Sequence, residues 1–120
     1  MISFTIFVDE LDEVELLPGV VSCVNTPMNA DCEIVAGRAY VTHIHLPTWT
    51  AGTPGEPITI YDRMSETRER LLFDALRVAI EREYATILSE RVASELSAFV
   101  MQEYGYARPV GSEYDRFVAP

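Results

Sequence analysis

The sequence predicts an α+β fold. An antiparallel sheet of four or five short strands is expected over residues 2–61, and one long or two paired helices over residues 65–104 lie on one face. Two observations carry this. Short apolar runs, divided by clusters of Gly, Pro and Asn, fill the first half. After Tyr61 the apolar period changes to four, and no Gly or Pro occurs between Ile58 and Tyr104. A chain of 120 residues, 48% apolar, suits a single domain over 1–120 that buries a core without metal or disulfide staples.

Taken in order, Phe4, Ile6 and Val8 alternate with Ser3, Thr5 and Phe7, which predicts a strand apolar on both faces and central in a sheet. Pro18-Gly19 marks a turn, and Val20–Val24 reads as a second strand. The stretch Asn25–Asp31 is dense in turn formers and reads as a loop. Cys32–Leu46 is a long β run with a bulge or tight turn at Gly37. Pro47–Pro57 holds three prolines and two glycines and reads as an irregular loop before a last strand, Ile58–Tyr61.

In the helical half, Ser65 with Glu66 is an acceptable N-cap pair. Leu72, Leu76, Ile80, Tyr84, Leu88, Val92, Leu96 and Val100 form a stripe, which Phe73, Ala79, Ile87 and Phe99 widen to a core-facing width. Gly105 is placed to stop it. Unbroken, this helix would be about 60 Å long at 1.5 Å per residue, against about 35 Å for a compact chain of this size. Either it breaks near Thr86–Ser89 and folds back, or the overhang is buried against another copy. Residues 105–120 read as an extended tail.

The formal charge is −10, from nineteen acids and nine arginines with no lysine. That excludes lysine Schiff-base chemistry and a P-loop lysine. The acidic balance argues against direct nucleic-acid or anionic-membrane binding. The N-terminus lacks the basic region of a signal peptide, and no run reaches membrane-spanning length, so a cytoplasmic location is expected. The charge is unevenly spread. Residues 1–37 hold seven acids and no base, and five of the acids are Asp9, Glu10, Asp12, Glu13 and Glu15. This block reads either as a solubilising loop or helical turn, or as an electronegative patch that meets a basic protein surface. It lacks the alternating pattern of a calcium loop.

Chemical motifs are sparse. Cys23, Cys32, His43 and His45 are the residue types of a tetrahedral zinc site or a Cys–His nucleophile pair, with both histidines on a strand face shared with Ala39 and Val41. Their spacing fits no zinc pattern, so two reduced core thiols and two sheet histidines are the expectation, with no cofactor. No nucleophile-elbow, zinc-protease, dinucleotide or Walker sequence is present. Aromatics give a stronger lead: Trp49 sits in the proline-rich loop, and Tyr104, Tyr106 and Tyr114 are interleaved with Arg108 near the C-terminus. Such residues suit binding hot spots, or a tail that covers its own domain or a neighbour's.

In layout and composition the chain resembles small acidic accessory proteins of bacteriophages and mobile elements, being short, lysine-free, β-rich first and helical after. That resemblance implies a protein that occupies and inhibits a host or defence protein, and it transfers no residue. The expected function is thus a non-enzymatic protein-interaction module, using Asp9, Glu10, Asp12, Glu13, Glu15, Trp49, Tyr104, Tyr106, Arg108 and Tyr114. A homo-oligomeric structural or assembly protein, in which the long helix pairs two or more copies, is the first alternative. A small metal-dependent enzyme using the Cys/His set is the second.

Overall fold

A computed structural model describes residues 2–104. They divide between two compact units, one ending at Glu90 and one beginning at Arg91. The class is α+β, as the sequence predicts. Strands β1 (Ile2–Val8), β4 (Met28–Val35), β5 (Arg38–Leu46) and β8 (Ile58–Tyr61) form an antiparallel sheet in the order β1-β4-β5-β8. Between β1 and β4 the chain makes a separate antiparallel pair, β2 (Leu11–Leu17) with β3 (Val20–Val24). Inside the proline-rich loop a two-residue pair, β6 (Trp49–Thr50) with β7 (Thr53–Pro54), closes a small hairpin.

One face of the main sheet is continuous core. Phe4, Ile6 and Val8 lie opposite Cys32, Ala30 and Met28 across the β1–β4 register. Ala30 lies opposite Ile44, Cys32 opposite Val41, and Ile44 opposite Ile60. All of these are buried, together with Leu11 and Val14 of β2. Helix α1 (Thr67–Glu83) packs on β2, β5 and β8 and buries Phe73, Leu76, Ala79 and Ile80. Helix α2 (Ala85–Tyr104) follows after one residue. In the first unit it contributes the buried Leu88; in the second, Val92 is buried and Arg91 pairs with Glu95 one turn on.

Several expectations are corrected. Strand β1 is an edge strand, and Ser3, Thr5 and Phe7 all face solvent, so its second face is not core. The Asn25–Asp31 loop is shorter, because β4 begins at Met28. The acidic block is no helical turn and only in part a loop: Asp9-Glu10 connect β1 to β2, whereas Asp12, Glu13 and Glu15 lie on the strand Leu11–Leu17. The helix begins at Thr67 with Glu66 as N-cap, and no side-chain capping bond forms. Its break falls at Tyr84, upstream of Thr86–Ser89. The main-chain bonds Tyr84 N to Ile80 O and Leu88 N to Tyr84 O, both 2.9 Å, flank that junction. Ile87 and Phe99, expected to widen the apolar stripe, are exposed.

Besides the Pro18-Gly19 turn between β2 and β3, two two-residue turns carry an alanine in the left-handed region. Ala36-Gly37 joins β4 to β5 with φ of 53° and 78°, and Ala51-Gly52 joins β6 to β7 with φ of 51° and 79°. A hairpin loop with positive φ at both positions matches the strand twist, but it favours Asn-Gly, since a β-carbon costs about 1 kcal/mol there. Ala36→Asn should therefore raise stability by about 0.5 kcal/mol, read as a higher urea midpoint at unchanged m-value. A lowered midpoint would contradict this account of the turn.

Candidate functional site

Leu11 and Val14 are both buried although they are three apart, which a regular strand with period two does not allow. The β2–β3 register shifts between them, so β2 is bulged there. The irregularity turns two adjacent acids, Asp12 and Glu13, outward and diverts their main-chain N–H groups from the ladder. Glu83, at the end of α1, collects both: Asp12 N donates to Oε1 at 2.7 Å and Glu13 N to Oε2 at 2.9 Å.

The residues on either side of Glu83 extend this grip. Arg82 donates to the Glu13 carbonyl and, at 3.0 Å, to the Glu83 carboxylate. The Tyr84 hydroxyl accepts from Asp9 N and donates to the Glu10 carbonyl, both at 3.1 Å. Three consecutive residues thus read the main chain of 9–13, and the helix breaks where the last of them turns to do so. Burial raises the Glu83 carboxyl, but the Asp12 and Glu13 amides and Arg82 outweigh it and hold the group below its ordinary value.

With their main chain held, the side chains of Asp9, Glu10, Asp12, Glu13 and Glu15 are all exposed. Five expected partner-binding residues are therefore brought together on one stretch of chain. Glu15 has a local task too, because its carboxylate accepts from Gly19 N at 2.9 Å and closes the β2–β3 turn. Trp49 is 66% exposed on β6, away in sequence and in sheet from the acidic strand. Tyr104 closes α2, and its side chain lies outside the described residues, as do Tyr106, Arg108 and Tyr114.

The Cys/His set does not assemble. Cys32 faces the core on β4, Cys23 is exposed on β3 in another sheet, and the two are not joined by a disulfide. Asp31 pairs with His43 but Cys32 pairs with Val41, so β5 carries an extra residue, Thr42. This bulge puts Val41 in the core and His43 outside, correcting the expectation that they share a face. Among the described residues no group of three His, Cys, Asp or Glu side chains is placed to hold a metal.

The histidines instead belong to a polar network on the outer face of the sheet. His45 Nε2 meets Asp31 Oδ2 at 2.8 Å and its Nδ1 meets Thr59 Oγ1 at 2.7 Å. Thr5 donates to Asp31 Oδ1 at 2.7 Å, which ties β1, β4, β5 and β8 in one row. An ionised carboxylate only accepts, so the Nε2 that faces Asp31 carries a hydrogen, and the Thr59 hydroxyl can serve Nδ1 as either donor or acceptor. Carboxylate, imidazole and hydroxyl in line can relay a proton, and here they sit half-exposed on an open sheet face. Burial raises the Asp31 carboxyl, but bonds from His45 and Thr5 and the charge of both histidines outweigh it and lower it.

A depressed carboxyl stabilises the fold fully above its unfolded pKa, about 3.9, and loses that contribution as pH falls through the lower folded value. Asp31→Asn should cost about 1 kcal/mol at neutral pH, below the usual range for charged hydrogen bonds because solvent screens the half-exposed site. Urea midpoints of the variant and the parent should converge in acid. A gap of equal size at both pH values would contradict the role given to the Asp31 charge.

Glu81, Arg82, Glu83 and Tyr84 are the residues that sequence reasoning missed, since alternating charge on a helix reads as a solvated face. Glu81 repeats the device of Glu83 by accepting from Val41 N, beside the β5 bulge, at 3.0 Å. The signal that could have found them is Leu-Asp-Glu-Val, whose two acids between apolar residues mark a bulge in need of acceptors. No protein family, curated protein or solved structure matches the chain, so its own geometry alone carries the functional reading.

Proposed function

We propose that this protein is a non-enzymatic interaction module whose acidic strand meets a basic surface on a partner protein, in the manner of an inhibitor or adaptor. The observation that carries this reading is the fixed main chain beneath five exposed carboxylates. A mobile acidic loop would solubilise equally well, whereas the Arg82–Glu83–Tyr84 grip orders the charges on a bulged strand. Ordered charge favours one partner geometry and speeds its capture.

Affinity capture with two baits tests this. The parent chain should retain basic proteins from a lysate of its source cell at low salt. The variant D9N/E10Q/D12N/E13Q should lose them; it keeps Glu15 because of the Gly19 bond. Identical capture by both baits would sink the proposal.

A further inference from the structure

Beside the acidic strand lies an apolar groove between the β2–β3 turn and helix α1. Leu16, Leu17 and Pro18 form one wall, and Leu71, Ala75 and Val78 form the other. Leu17, Leu71 and Val78 are each more than half exposed, a large apolar area for so small a surface, and the α1 residues stand at helical spacing on one face. The rim holds Glu13, Glu15 and Asp74 against a single base, Arg82. That guanidinium is already engaged by the Glu13 carbonyl and the Glu83 carboxylate. Among the described residues Asp74 makes a long ion pair, 3.8 Å, with Arg77.

From this charge pattern we infer that the groove receives a basic amphipathic helix of the partner, its apolar side chains entering between Leu17 and Val78 and its arginines or lysines meeting the acidic rim. The inference rests on the interaction reading above and specifies the segment recognised. An incoming strand is the poorer occupant, because the amides of Asp12 and Glu13 are already bonded to Glu83. Side-chain burial along two turns of α1 is what the groove offers, and a helix exploits that.

A synthetic helical peptide with a leucine face flanked by arginines is the probe, titrated into the full chain while methyl NMR spectra are recorded. The methyl signals of Leu16, Leu17, Leu71 and Val78 should shift. The double variant Leu71→Ser/Val78→Ser, at two exposed positions, should bind the peptide at least about tenfold more weakly with an unchanged fold, since apolar contact area is lost. A peptide with serines for the leucines and the same charge should lose a similar factor. Equal binding by both peptides overturns the groove but leaves the acidic-strand reading standing. Binding retained by D9N/E10Q/D12N/E13Q, with the methyl shifts intact, would support the groove while separating it from that reading.

Other occupants give distinct results. A glutamate-flanked peptide that binds as well removes the charge argument and overturns the inference. So does a dimer of the free chain that the serine variant dissociates in sedimentation, which would assign the groove to a second copy. Contacts from the Leu71 or Val78 methyls to tyrosine rings of residues 105–120 in the free chain would assign it to the protein's own C-terminus and overturn the inference likewise. Absence of any peptide binding also overturns it.

Discussion

Replacing Glu83 by alanine should release the acidic strand from the helix and lower stability by about 2 kcal/mol. The carboxylate accepts two main-chain amides at 2.7 and 2.9 Å and is only 18% exposed, and charge-assisted bonds contribute about 1.5–3 kcal/mol each when fully desolvated. Water can reach Asp12 and Glu13, which brings the expected loss below that sum. Glu83→Gln keeps one acceptor oxygen and should fall between parent and alanine variant. Hydrogen exchange locates the effect: the amides of residues 12 and 13 should lose protection in both variants, while β4 and β5 amides change only with global stability. Parent-like protection at residues 12 and 13 in Glu83→Ala would refute the grip. The depressed Glu83 carboxyl adds a pH signature, because its contribution is present above about pH 4.3, the unfolded value, and disappears as pH falls through the lower folded value.

Neutralising Asp9, Glu10, Asp12 and Glu13 together should slow association with the captured partner by at least about tenfold at low ionic strength, with a smaller effect on dissociation. Rim charges act mainly on encounter, and screening beyond a Debye length of about 10 Å at 0.1 M salt removes their reach. The parent's association rate should fall steeply with salt and that of the variant should be nearly flat, so the two curves meet at high salt. Stopped-flow or surface-based kinetics over a salt series would detect this. Parallel curves would place the binding charge elsewhere on the chain. The same variant should fold at least as well as the parent, because four exposed carboxylates so close together repel one another.

The hairpins and the period change are legible in the sequence because they depend on local chemistry. Gly37 and Pro18-Gly19 mark real turns, and Leu76, Ile80 and Leu88 are buried as their spacing predicts. Much of what escapes depends on residues far apart in the chain, as Asp12 and Glu83 are. Leu11 to Val14 reads as non-β until a bulge is allowed, and a bulge is tolerable only because Glu83 waits for the released amides. Tyr84 belongs to the apolar stripe by spacing, yet its hydroxyl is bonded to the main chain of Asp9 and Glu10. The Thr42 bulge likewise moves Val41 and His43 to opposite faces, which dissolves the Cys/His set. The five acids stand out in the sequence as a block, but composition carries no trace of their ordering by α1. Among the described residues no helix is long and apolar enough to cross a membrane.

If the strand gripped by Arg82, Glu83 and Tyr84 is the face that meets the partner, binding must alter its exchange with solvent. Hydrogen exchange of the full chain, alone and bound to the captured partner, is therefore the decisive measurement. New protection should concentrate at residues 9–17 and along α1 from Leu71 to Val78, with the outer sheet face around His43 and Tyr61 unchanged. Protection confined to that sheet face or to residues beyond Glu90, with residues 9–17 exchanging as in the free chain, would refute the assignment of this strand as the binding face.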